Sequence, residues 1–83
     1  MATRMERYQV TIRYSEPAYA RARGIDELVY SGKFEVTAAD PDGAIMLATE
    51  LFRDAQRTSS VSWAREIQAV SWRVIGTRVD GLR

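Results

Sequence analysis

The stretch Val36-Thr37-Ala38-Ala39-Asp40-Pro41-Asp42-Gly43-Ala44-Ile45 decides the fold, because a period of two ends in it and a period of 3.6 begins. Asp40 suits a helix N-cap, since its carboxylate can accept from free amides of the first turn. Pro41 suits the first helical position, where the amide it lacks would be unpaired anyway. Asp42 adds a charge that the helix dipole favours.

Upstream of this junction, Glu27 to Ala39 alternates. Leu28, Tyr30, Phe34, Val36 and Ala38 share one face, with Gly32 in the same phase. Val29, Ser31, Lys33, Glu35 and Thr37 share the other. This reads as a strand, with a bulge or bend expected at Gly32. Further back, Tyr8-Gln-Val-Thr-Ile-Arg-Tyr14 alternates strictly, placing Tyr8, Val10, Ile12 and Tyr14 together as the buried side of a second strand. Residues 15–26 read equally well as one or two turns of helix or as loop. Pro17 fits the first helical position and Gly24 a C′ position, but so short a segment is marginal alone.

Downstream, Ala44, Leu47, Ala48, Leu51 and Ala55, flanked by Ile45 and Phe52, form an apolar stripe at helical spacing. Glu50, Arg53, Asp54 and Arg57 occupy the opposite side. Thr58-Ser59-Ser60 ends the helix. A last strand spans about Arg65 to Ile75, with Val70, Trp72 and Val74 alternating against Ser71 and Arg73. Ile67 falls in the opposite phase to Val70, so either a bulge near Gln68-Ala69 resets the alternation or both faces are partly covered. Trp72 is expected in the core. Gly76 to Arg83 lacks periodicity and is expected to fray.

These elements predict an α+β fold in the order strand, strand, helix, strand: a three-stranded, mainly antiparallel sheet with one helix on one face. The 83 residues suffice for one domain, 1–83, with an ordered core at about 7–76. The pattern leaves strand order open. Parallel pairing of the last strand with the first would give a grasp-like half-fold.

The composition excludes more chemistry than it suggests. With no cysteine and no histidine, there is no disulfide framework, thiol nucleophile, thiolate metal site or serine-histidine pair. No cofactor and no catalytic residue is indicated. Asp40 and Asp42 lack the spaced oxygen ligands of a cation loop, and capping accounts for Asp40. No run is long and apolar enough to span a bilayer, so no membrane partner is expected. Met1–Arg7 has no apolar signal segment, and a cytoplasmic setting is expected. Twelve basic against eleven acidic residues leave a net charge of +1, too even to announce a nucleic-acid arm.

Two function classes remain. One helix covers one face of a three-stranded sheet. The other face, with Gln9, Thr11, Arg13, Ser31, Lys33, Glu35 and Thr37 joined by Ile67 and Ile75, is solvated or meets a partner. This favours a non-enzymatic interaction module, a homodimer through its sheet or a binder of another protein. Trp63, outside any apolar alternation, either closes the core over the helix end or anchors an interface. The alternative is a nucleic-acid-associated accessory domain in which Arg13, Tyr19, Arg21, Arg23 and Lys33 form a basic, aromatic-bearing contact.

Overall fold

Every strand of the sheet is antiparallel to its neighbour. In the computed structural model, which describes residues 4–58 and 63–78, β1 (Met5–Ser15) lies between β2 (Val29–Ala38) and β3 (Glu66–Arg78). The antiparallel β1–β3 pairing rules out the grasp-like alternative. Between β1 and β2 runs a short helix, α1 (Pro17–Arg23), and between β2 and β3 the longer α2 (Pro41–Arg57).

The β1–β2 register is unbroken and sets Tyr8 against Val36, Val10 against Phe34, Ile12 against Gly32 and Tyr14 against Tyr30. Thus the two alternations combine into one apolar face. No bulge occurs at Gly32. Instead the Phe34 ring lies over it, so that an added Cβ would sit 3.3 Å from Phe34 Cε2. Leu28 lies outside β2, half exposed in the loop before it.

Asp40 caps α2 as its chemistry requires, accepting from the Gly43 amide at 2.7 Å through Oδ1. At the other end the Thr58 amide donates to the Asp54 carbonyl, and so does its hydroxyl. The helix buries Ala44, Ala48 and Phe52 against Tyr8, Val10, Ile12 and Ala38. Small residues on its inner face let the backbone approach the sheet. Phe52 supplies most of the helix's buried bulk, edge-on to Tyr14 at 5.0 Å and to Phe34 at 6.5 Å between ring centroids.

Residues 15–26 resolve into a helix followed by a loop. Gly24, at φ 66°, takes the left-handed conformation that closes α1. Its amide and that of Ile25 donate back to Arg21 and Ala20, the paired bonds of a Schellman motif. Seven residues would not hold a helix alone. Here Ala20 is buried, Tyr19 stacks edge-on with Trp63, and Glu16 pairs with Arg65 at 3.2 Å.

β3 carries the expected phase reset, and a second one. Arg13 pairs with Ala69 but Tyr14 with Ile67, so Gln68 is an extra residue. Its side chain turns back to donate to the Oγ of buried Ser15 at 2.9 Å. The bulge swings Ile67 onto the helix-covered side, where it packs against the core rather than on the open face. The second reset makes Ile75 extra, between the pairs Tyr8–Val74 and Arg7–Gly76. Strand pairing continues past Gly76 to Arg78, where fraying was expected.

Candidate interaction surface

Where α2 sits decides which apolar residues are covered. The helix lies chiefly over β2 and β1 and only grazes β3. Phe52 points its flank toward Phe34 of β2. Leu47 and Leu51, about 100–140° away around the helix from Phe52, are 41% and 46% exposed. On β3, Trp72 and Val74 share the phase of the buried β1 residues through their pairing with Val10 and Tyr8, yet each is 46% exposed. Trp72 is therefore not a core residue. It borders the core, edge-on to Tyr8 with centroids 5.7 Å apart.

The result is a pair of half-exposed apolar side chains, Trp72 and Val74, on the side of the sheet meant for burial. Single exposed apolar residues are ordinary; a tryptophan and a valine together on one face of an edge strand make a candidate contact surface. Sequence reasoning missed it because Trp72 and Val74 carry core-type periodicity. The placement of the helix leaves them half wet.

The opposite face is mainly polar, with Val29 and Ala69 exposed apolar residues along it. Arg7 pairs with Glu35 at 2.8 Å across β1 and β2, and Arg73 Nε donates to Gln9 Oε1 at 3.1 Å across β1 and β3. Both are exposed contacts of small energetic worth. Thr11 lies between Lys33 and Ser71, and Arg13 between Ser31 and Ala69.

The residues singled out from sequence fall into two groups. Arg13 and Lys33 lie on the open sheet face, on adjacent strands. Tyr19, Arg21 and Arg23 lie on α1, and Trp63 joins them: its ring is 5.7 Å from Tyr19, whose other neighbour is the Arg23 guanidinium at 5.4 Å. Trp63 thus packs on Tyr19 of α1 and is partly buried. Arg21 and Arg23 are exposed.

Arg65, which nothing in the sequence marked, closes one end of the core. Its guanidinium lies 5.1 Å from the Tyr14 ring and 5.8 Å from the Phe52 ring while Nε donates to Glu16. Both partners of this ion pair are about four-fifths buried. Only a long-range pairing between residues 49 apart produces the arrangement, so no local pattern could have found it.

Tyr8 is the one described group with a displaced pKa. Burial first, then its hydrogen bond to Glu6, raise it above the ordinary 10.0. Its hydroxyl is the donor, to Glu6 Oε1 at 3.1 Å. Among the described residues no group of three acidic side chains comes together in a way that would hold a metal. Among the described residues, too, no helix is long and apolar enough to cross a membrane. The recesses on the polar surface are shallow, one lined by Arg13, Val29, Tyr30 and Ser31, another by Glu50, Arg53, Asp54 and Arg57 of α2. No protein-family model, curated protein or solved structure matches the chain.

Proposed function

We propose that the protein is a non-enzymatic interaction module that self-associates through the half-covered side of its sheet. One observation carries this reading: Trp72 and Val74 of β3 form an apolar surface, on the helix side of the sheet, that the chain's own helix leaves half uncovered. Burying it in a second copy removes apolar area from water, worth about 25 cal/mol per Å² before association costs. A small domain gains proportionately from such a supplement. The lack of cysteine suits a reducing compartment, and the proposal places the module in the cytoplasm.

Concentration dependence of unfolding tests the reading. A self-associating chain melts at a higher temperature as its concentration rises. Val74→Glu should abolish that dependence while leaving the fold intact, because Val74 is half exposed. A melting temperature independent of concentration in the unmodified protein rejects the proposal.

A second reading draws on the open face, where Arg7, Arg13, Lys33 and Arg73 outnumber Glu35 and Glu66. It would make this side a contact for nucleic-acid phosphates, with Tyr19, Arg21 and Arg23 of α1 as a separate patch. Such binding weakens steeply with salt. No mobility shift at low salt, or a shift unchanged by Arg13→Ala with Lys33→Ala, rejects it.

A further inference from the structure

We propose that two copies join edge to edge along β3, antiparallel, about a two-fold axis at Trp72. The proposal rests on the self-associating reading above and names its mode.

β1 is paired on both sides, so among the described residues the edge strands are β2 and β3. On β2 the helix-side residues Phe34 and Val36 already pack against the core, and its other side carries Lys33 and Glu35. Charges, lysine above all, guard edges against pairing. β3 is 13 residues long and contains no proline. Its helix-side residues Trp72 and Val74 are half exposed. Free backbone and uncovered apolar surface therefore coincide on β3, and a second copy of the same edge satisfies both.

The register follows from which residues would face one another. Side chains must keep to their own face of the sheet. An axis at Trp72 sets Trp72 against its own copy and Val70 against the second copy's Val74. On the other face Ser71 meets the second copy's Arg73. The bulges preserve this register. Each arm leading away from Trp72 holds one extra residue, Gln68 in one direction and Ile75 in the other, so the arms stay equal in length. Neighbouring registers fare worse. An axis at Arg73 sets arginine against arginine, a destabilising like-charge pair. With Gln68 extra, an axis at Val70 carries Val74 beyond Glu66, off the end of the strand, and one at Ser71 leaves the two arms unequal in length.

The product is a six-stranded sheet with both α2 helices on one side. Strand spacing of about 4.8 Å places the helix axes roughly 20 Å apart. Helices about 10–12 Å across leave a slot of roughly 8–10 Å between them. Two Trp72 rings fill its floor.

Single-cysteine cross-linking tests the register, because the chain has no cysteine of its own. Trp72→Cys should couple to itself under mild oxidation. Thiols held at millimolar effective concentration react roughly 100-fold faster than free encounter at micromolar protein. Lys33→Cys, on the β2 edge, should not. As a second arm that spares Trp72, Ser71→Cys and Arg73→Cys should couple when mixed and far less when kept apart. Equal rates at positions 33 and 72, with no preference for the mixed 71–73 pair, overturn the proposal. If light scattering still gives a dimer in that case, the register is wrong and the self-association stands. A monomer at every concentration overturns both.

Discussion

Trp72 meets Tyr8 edge-on, ring planes at 73° and centroids 5.7 Å apart, so a fully buried tyrosine on the central strand is bounded by a half-exposed tryptophan on the edge strand. The pair marks the line where the core ends and the proposed interface begins. Trp72→Ala should therefore act mainly on association. It removes an edge-to-face aromatic contact worth about 0.5–1.5 kcal/mol beyond area and a hot-spot side chain. Sedimentation should show a larger loss of dimer affinity than chemical denaturation shows loss of fold at dilute concentration. Equal losses would make Trp72 an ordinary core residue.

Phe52 is the opposite case. Buried to 2% exposure and touching rings on both β1 and β2, it should cost about 3–5 kcal/mol when replaced by alanine. A small domain has little more than that in total. Circular dichroism should find Phe52→Ala largely unfolded near 25 °C. A cooperative transition close to that of the unmodified chain would contradict the packing described.

The cap at Asp40 should contribute about 1 kcal/mol, the usual loss on replacing such a residue by alanine. Denaturant titration of Asp40→Ala checks it. Asp40→Asn, which keeps the accepting oxygen, should recover most of the loss. If asparagine and alanine are equally damaging, the 2.7 Å bond to Gly43 is not what stabilises the turn.

Tyr8 predicts an alkaline weakness. Its folded pKa is raised by burial and by the bond to Glu6. Above pH 10 the unfolded chain releases the phenolic proton while the folded chain retains it. Stability is thus full below pH 10 and falls as pH rises through the folded value. Tyr8→Phe should flatten this part of the profile relative to the unmodified protein. An unchanged slope would assign the loss to other groups.

Local chemistry was legible in the sequence, and the placement of one element on another was not. The alternation of Tyr8, Val10 and Ile12, the Asp40-Pro41 start of α2 and the phase reset near Gln68 each depend on residues within a turn or a strand. All three stand as read. Trp72 and Leu51 were misjudged because their periodicity says which way they point and nothing about whether the helix reaches them. Ile67 changed face through the same bulge that the sequence suggested. Pairing with Met5, Glu6 and Arg7 carried β3 past Gly76 to Arg78, and that order comes from a partner strand about 70 residues away. Of the candidate contacts, Tyr19 and Trp63 meet on α1, while Arg13 and Lys33 lie together on the sheet, a division that only the folded chain reveals.

The most direct measurement of the central claim is solution mass by light scattering across a range of concentrations, for the unmodified chain and for Trp72→Arg. The account predicts twice the 9.4 kDa chain mass at high concentration, returning to the single-chain value on dilution and at every concentration in the variant. A single-chain mass throughout, or a dimer that Trp72→Arg leaves untouched, would contradict it.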